Sequence, residues 1–214
     1  YLATNEEYDP ATDSWQSRAP MPTARNSMAA GTFGGRMYVL GGYNGAVRLD
    51  KNEEFDPVSN SWATRAPLPV ARSGAAVAVT GEKLFLIGGN DGALTSANKE
   101  YDPVLNTWTS RAPLPTARSN PGAAMIGGKV YVVGGDNGAA TTLNEEYDPV
   151  GNSWVTRAPL PLAMGNTIAE AIGGKVLAVG AGGIALQPKT AEFDPTTNSW
   201  VLRQIAPTAR ETPA

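Results

Sequence analysis

The side chains able to do chemistry in this chain are carboxylates, guanidinium groups and neutral amides, because histidine and cysteine are absent. Without them the sequence contains no Ser-His-Asp triad, no thiolate nucleophile, and no imidazole or thiolate ligand for a metal. Asn90-Asp91-Gly92 and Asp136-Asn137-Gly138 supply oxygen ligands, but neither has the number or spacing of acids of a dedicated calcium loop. We therefore predict that the protein uses no metal and no cofactor.

One carboxylate, Glu170, stands out because its counterparts in three earlier, similar segments are Gly31, Ala78 and Ala124. A carboxylate in an otherwise apolar strand is unfavourable unless it is paired or solvated. Two interpretations stay open: Glu170 lines a polar channel and marks a site, or it lies in a divergent segment and reaches solvent. An acid–base isomerase or lyase could in principle use Glu170 with Arg210, but the sequence shows no paired catalytic constellation.

Other charged residues recur at fixed positions, which favours a scaffolding role. An acid is present in five copies, at Glu7, Glu54, Glu100, Glu146 and Glu192. An arginine follows each of them, at Arg18, Arg65, Arg111, Arg157 and Arg203. A second arginine position holds Arg25, Arg72, Arg118 and Arg210, with Met164 in the remaining copy. Since a guanidinium can bind a carboxylate or carbonyl groups with two hydrogen bonds, we predict a repeated ion pair or hydrogen bond between strands. The alternative is a charged ring that binds anions.

The elements that position these groups repeat along the whole chain. The phrase Arg36-Met-Tyr-Val-Leu-Gly-Gly42 returns at 83–89, 129–135 and, altered, 175–181, at offsets of 47, 46 and 46 residues. In the second repeat, residues 73–80, 83–87, 95–101 and 107–110 have strand-like composition and are separated by Gly, Asn, Asp and Pro. Four short antiparallel strands in each repeat predict the blade of a β-propeller.

The predicted fold class is therefore all-β, a propeller with four full blades and an outer half-blade. The predicted boundaries are a half-blade at 1–18, blades at 19–65, 66–111, 112–157 and 158–203, and the start of a further blade at 204–214. Each blade has a Trp seven residues after a Tyr or Phe that precedes Asp-Pro. Large aromatic side chains bury much apolar surface, so we predict that these pairs form the core between blades. The tryptophans are Trp15, Trp62, Trp108, Trp154 and Trp200, and the partners are Tyr8, Phe55, Tyr101, Tyr147 and Phe193.

The glycine pair, the Tyr/Phe-Asp-Pro motif and the spaced Trp together resemble the kelch repeat over the whole chain. The phrase from Trp62 to Arg72 is similar to kelch repeats of bacterial secreted or surface proteins. Kelch rings often have six blades, so the resemblance implies that flanking blades or a second chain complete a larger ring.

The resemblance also implies a ligand site. In kelch proteins that bind peptides, the loop before the first strand and the loop after the glycine pair supply the pocket. Carried over to this sequence, these positions are Asn26, Ser27, Tyr43, Asn44, Ser73, Asn90, Asp91, Ser119, Asn120, Asp136, Asn137 and Asn166. Such neutral donors and acceptors suit a glycan or a polar peptide. The alternative is that Asn, Asp and Gly simply form the turns.

The resemblance thus predicts a non-catalytic binding module for a protein, peptide or glycan, located outside the cell or at its surface. The net charge of −3 without a lysine cluster argues against nucleic acid, and no apolar run is long enough for membrane insertion. Three alternatives are kept: a structural or adhesion module, a cytoplasmic location, and an isomerase like the kelch-type sialic acid epimerase. A copper radical oxidase does not fit, because its site needs His and Cys.

Overall fold

The computed structural model describes residues 1–182 and 187–204, and these residues form eighteen β-strands. The predicted further blade beyond residue 204, including Arg210, lies outside the described residues. The first strands are β1 (Asn5–Asp9), β2 (Ser14–Arg18), β3 (Ala29–Phe33), β4 (Arg36–Leu40), β5 (Asn52–Asp56), β6 (Ser61–Thr64), β7 (Ala76–Thr80), β8 (Lys83–Ile87) and β9 (Asn98–Asp102). The others are β10 (Thr107–Arg111), β11 (Gly122–Ile126), β12 (Lys129–Val133), β13 (Asn144–Asp148), β14 (Ser153–Thr156), β15 (Gly165–Ile172), β16 (Lys175–Gly182), β17 (Gln187–Asp194) and β18 (Ser199–Leu202).

The strands form four antiparallel sheets of four strands, each connected as a simple meander. These sheets are blade 1 (β3–β6), blade 2 (β7–β10), blade 3 (β11–β14) and blade 4 (β15–β18), and β1 with β2 forms a separate two-stranded hairpin. The first strands of successive blades contact one another, so they line the inside of the arrangement. The predicted all-β fold with four-stranded propeller blades is confirmed. Within the described residues no helix is long and apolar enough to cross a membrane.

In blades 1 to 3 the glycine pair contacts the following blade. Gly41 and Gly42 have φ angles of 63° and 110°, which residues with a side chain rarely adopt. The Gly42 amide donates to the Arg72 carbonyl at 2.9 Å, and a Cβ on Gly41 would lie 2.4 Å from that same oxygen. Blade 4 has Gly180-Ala181 instead of two glycines, and its second strand continues to Gly182. The pair therefore both ends a strand and allows the next blade to approach.

Tryptophan and asparagine side chains hold neighbouring blades together through one alanine backbone. Trp62 donates its indole N–H to the Ala19 carbonyl at 2.8 Å, while the Asn60 side-chain oxygen accepts the Ala19 amide at 2.8 Å. The same arrangement recurs around three further alanines, at Ala66, Ala112 and Ala158. We call this arrangement the alanine clamp. It explains why Arg-Ala-Pro and the spaced Trp recur together.

The apolar core lies between successive blades rather than in one central mass. Its three clusters join blades 1 and 2, blades 2 and 3, and blades 3 and 4. Tyr101, Tyr147 and Phe193 are fully buried, as predicted, and their tryptophan partners are half-buried. The prediction is wrong for the first copy, because Trp15 is 70% exposed and Tyr8 is 43% exposed. No described blade packs against that side of the β1–β2 hairpin.

Small residues in the first strands allow the close approach of the next blade. A Cβ on Gly122 would lie 2.7 Å from the backbone nitrogen of Ala169 in blade 4. The residue in the same register of blade 4 is Ile168, which is 40% exposed. Blade 4 also has a register shift between Gly165 and Ile168. Its inner strand is therefore the least regular of the four.

Candidate functional site at the blade axis

The first strands of the four blades border an axial cavity of about 720 Å³. Its walls are mostly small or apolar, including Ala30, Val77 and Ala123. A second space of about 290 Å³ adjoins the first and shares these three residues and Glu170. A site at this axis is thus built from four separate parts of the chain, each placed there by its own blade.

The rim of the axial cavity is a chain of backbone hydrogen bonds. Ser27, Gly74, Asn120 and Asn166 occupy the same position in their blades, with φ angles of 50°, 60°, 50° and 43°. The Gly74 amide donates to Ser27 at 2.8 Å, and the Asn120 amide donates to Gly74 at 2.7 Å. The series continues in blade 4 with Thr167, whose amide donates to Asn120 at 3.0 Å. Because Asn and Gly tolerate the left-handed conformation, the backbone itself explains much of the residue choice here.

The structure separates the predicted ligand residues into two groups. Asn26, Ser27, Asn120 and Asn166 line the axial cavity. The rest do not line it; they are Tyr43, Asn44, Ser73, Asn90, Asp91, Ser119, Asp136 and Asn137. Backbone bridges nevertheless join the two predicted loop sets, because Asn26 pairs with Tyr43, Ser73 with Asn90, and Ser119 with Asp136.

Two of the outer asparagines have a clear structural role. The side-chain oxygen of Asn44 accepts the amides of Ala46 and Val47 at 3.1 and 2.9 Å. The side-chain oxygen of Asn90 accepts the Gly92 amide at 3.0 Å. These bonds stabilise the turn after the glycine pair, as asparagine commonly does in tight turns.

The arginines just before the rim are buried beside the cavity and do not line it. Arg25 is 2% exposed and donates to Glu53 at 2.7 Å and to the Val39 carbonyl at 3.2 Å. Arg118 makes the equivalent ion pair with Glu145, and burial lowers the pKa of its guanidinium group. A cationic pocket for acidic ligands is therefore not formed by these two residues.

Blades 2 and 4 depart from this buried ion pair in different ways. In blade 2 the acid is replaced by Lys99, which donates to Ser110. Among the described residues, the Arg72 guanidinium has only long contacts of 3.4 Å, with the carbonyls of Gly88 and Ala97. Burial lowers the pKa of Arg72, and the charge of Asp91 opposes this effect. In blade 4 both members are apolar, as the fully buried Met164 and Ala191.

Sequence reasoning missed the buried acids Glu53 and Glu145. A signal was present, because these acids occur only in the blades that carry Thr23 or Thr116 two residues before the buried arginine. The threonine hydroxyls donate to the acids at 2.6 and 3.1 Å. The Thr and Glu positions therefore vary together.

The predicted repeated ion pair is confirmed at the other charged positions. Arg18, Arg65, Arg111, Arg157 and Arg203 bind Glu7, Glu54, Glu100, Glu146 and Glu192, each across the two outer strands of a sheet. Burial alone would raise the pKa of Glu54, but hydrogen bonds from Arg65, Tyr38 and Arg36 lower it to about 2. These pairs link strands of one blade, and their residues do not line the axial cavity.

Comparison with known proteins agrees with this architecture. Residues 3–135 match the KLHDC2/KLHL20/DRC7 Kelch-repeats domain, and residues 117–161 match the Kelch motif. The chain belongs to the kelch-repeat family. Kelch-repeat propellers are typically protein-interaction modules.

Two individual proteins show how far this likeness extends. The kelch chain is 42% identical to Kelch-like protein 4 from Homo sapiens over 45 residues, which are 21% of this chain and 6% of that protein. The solved structure titled "Structure of YjhT" has a TM-score of 0.83 at 16% sequence identity, covering 97% of this chain and 79% of that chain. The structural likeness supports the propeller fold alone. The matched segment is a small fraction of the human relative.

Proposed function

We propose that this kelch propeller is a non-catalytic interaction module that binds an extended polar peptide segment of a partner protein at its axial face. The observation that carries the proposal is the cavity of about 720 Å³ with Asn26, Ser27, Asn120 and Asn166 among its lining residues. Ligand pockets commonly have volumes of about 300–1,000 Å³. Amide and hydroxyl groups both donate and accept hydrogen bonds, which matches the alternating groups of a peptide backbone.

The outer loops extend this surface in the proposal. A peptide that leaves the cavity would pass the second loop set, where Tyr43 and Asn90 are half-buried and Asn44, Asp91 and Asn137 are exposed. The remaining predicted contacts are half-buried and lie in the same two loop sets, namely Ser73, Ser119 and Asp136. Binding would then combine a central group of contacts in the cavity with weaker contacts outside it.

The experiment is selection of a displayed peptide library on the full chain, followed by calorimetry with the enriched peptides. Asn120→Gly and Asn166→Gly remove the side-chain amides while allowing the left-handed backbone, as the native Gly74 does. Thr109→Ala, on the exposed outer strand β10, is the matched control. We expect the two glycine variants to weaken binding at least about tenfold, which corresponds to about 1.4 kcal/mol. Unchanged affinity in both variants would contradict the proposed site.

A glycan is the second candidate ligand class, because sugar hydroxyls would find the same neutral donors and acceptors. A glycan array probed with the same chain and the same glycine variants compares the two classes directly. A structural or adhesion role without a soluble ligand predicts no selective binding in either assay.

We infer that the cavity is not catalytic. Among the described residues that line it, Glu170 is the one ionisable side chain, while acid–base isomerisation needs an acid and a base in reach of one substrate. Turnover of a sialic acid isomer above the uncatalysed rate would contradict this inference.

We also propose that the protein acts outside the cell or at its surface, with the cytoplasm as the alternative. The support is the similarity of the Trp62–Arg72 phrase to bacterial secreted and surface kelch repeats. Fractionation of the native protein tests the location.

A neighbouring blade or a second chain is further proposed to pack on the β1–β2 hairpin. There Trp15 is 70% exposed, whereas the later tryptophans are held in alanine clamps. Light scattering of the chain with and without Trp15→Ser tests this packing. An association that the variant does not reduce would contradict it.

A further inference from the structure

Glu170 is the one charged side chain among the described residues that line the axial cavity and its continuation. The other lining residues are apolar, small, or neutral amides and hydroxyls. Glu170 borders both spaces. Any charge preference of this cavity therefore depends on a single acid.

The register of Glu170 in its sheet identifies its counterparts in the other blades. The partner of Glu170 on the second strand is Leu177. The equivalent pairs in the other three blades are Ala124 with Tyr131, Ala78 with Phe85, and Gly31 with Tyr38. Gly31, Ala78 and Ala124 line the second space with at most a methyl group. Blade 4 alone therefore adds a long, charged side chain at this level.

Among the described residues, the Glu170 carboxylate has no cationic partner of the kind that the repeated acids have. Its side-chain oxygen accepts a hydrogen bond from the Ala171 amide at 3.1 Å. No ion pair to Glu170 is present within residues 1–182 and 187–204, whereas Glu54, Glu100, Glu146 and Glu192 are all paired to arginine. A carboxylate in a concave site attracts cations more strongly than one on an open surface, because the protein walls focus its electric field.

We propose that Glu170 makes the axial cavity selective for a cationic group, namely the ammonium of a lysine or the guanidinium of an arginine. This inference rests on the proposed peptide-binding function. Glu170 lies four residues beyond Asn166 in the same strand, or about 13 Å from the rim at about 3.3 Å per residue. An extended peptide entering past the rim therefore brings its third or fourth residue to the carboxylate.

The test uses the full chain and fluorescent hexapeptide libraries that are random except at the fourth residue. That residue is Lys, Arg, norleucine or Glu in four otherwise matched libraries. We expect the Lys and Arg libraries to bind at least about tenfold more tightly than the norleucine library, and the Glu library to bind weakest. Glu170→Gln should reduce the Lys-to-norleucine ratio to about one. The control Glu82→Gln makes the same charge change at an exposed turn and should leave the ratio unchanged.

The possible outcomes separate this inference from the proposed function. If peptides bind and the Asn120→Gly variant weakens them, but all four libraries bind alike, the charge selectivity is wrong and the peptide site stands. A cation preference that persists in Glu170→Gln likewise overturns the inference. If no library binds and the rim variants change nothing, both proposals fail. Thermal melting of Glu170→Gln, expected to match the unmutated chain because Glu170 is exposed, excludes unfolding as the cause.

Discussion

Removing the acid of one buried ion pair should destabilise the propeller strongly. Replacing both members of the pair by the apolar residues found in blade 4 should restore the stability. The pair is Arg118–Glu145, whose side chains are 0% and 3% exposed. The Arg118 guanidinium also donates to the carbonyls of Val132 and Thr116 at 3.0 and 3.1 Å. Glu145→Gln keeps the shape of the side chain and removes its charge.

The expected cost follows from leaving a guanidinium buried without a counter-charge. Removing one partner of a buried pair typically costs about 3–5 kcal/mol, while replacing both partners by well-packed apolar residues is often neutral or stabilising. Blade 4 already has Met164 and Ala191, both 0% exposed, at the positions of Arg118 and Glu145. We therefore expect Glu145→Gln to lose about 3–5 kcal/mol and the double variant Arg118→Met/Glu145→Ala to recover to within about 1 kcal/mol of the unmutated chain.

We would measure these stabilities by urea unfolding. The four proteins compared are the unmutated chain, Glu145→Gln, Arg118→Met and the double variant. The midpoints should move while the slope of the free energy of unfolding against urea stays constant, since the surface exposed on unfolding changes little. A loss below about 1 kcal/mol for Glu145→Gln would refute the reasoning, because the buried charge would then be compensated elsewhere. The reasoning would also be refuted by a double variant as unstable as the single one.

Three further predictions concern the scaffold. Lys99→Glu should raise the free energy of unfolding by about 1–3 kcal/mol, because it offers the buried Arg72 a carboxylate. An unchanged midpoint of urea unfolding would argue against this pairing. Trp108→Phe should cost about 1–2 kcal/mol by removing the indole donor to the Ala66 carbonyl, whereas Trp15→Phe, at an exposed side chain, should change the melting temperature little. The pKa of Glu54 is lowered from its usual value near 4.5 to about 2, so its contribution to stability is present above about pH 4.5 and is lost as the pH falls towards 2. Glu54→Gln should flatten the decrease in stability across that range, and an unchanged pH profile would contradict the cause given for the shift.

The regular strands were predictable because their signals are local. The predicted strand at 83–87 agrees with the observed Lys83–Ile87, since Gly and charged residues bound a short β-branched and aromatic run. The predicted third strand at 95–101 begins three residues later, at Asn98. Before that point the backbone bonds elsewhere, with the Thr95 amide donating to Gly89 and the Ala97 carbonyl accepting from Gly88. Such contacts between loops have no short-range signature.

The partners of the charged residues were only half predictable. The pairs between the two outer strands follow from a constant separation of eleven residues, which places Arg65 and Glu54 on neighbouring strands. The pair between Arg25 and Glu53 spans a whole inner hairpin, so its geometry depends on how that hairpin packs on the third strand. The exposure of Trp15 was missed for a similar reason. A tryptophan of the alanine clamp is buried only when a neighbouring blade packs on it, and the sequence motif does not indicate whether that blade is there.

The sequence by itself determined the kelch repeat, the blade as its unit and the positions that vary between copies, because each depends on residues a few positions apart. Only the tertiary structure decided that four first strands border a common cavity, that Asn120 and Asn166 line it, and that Asn44 and Asn90 instead stabilise turns. It also decided that Glu170 faces that cavity without a cationic partner among the described residues. These properties arise at the contacts between blades. The relative positions of neighbouring blades are set by the packing between them and not by the sequence of any one repeat.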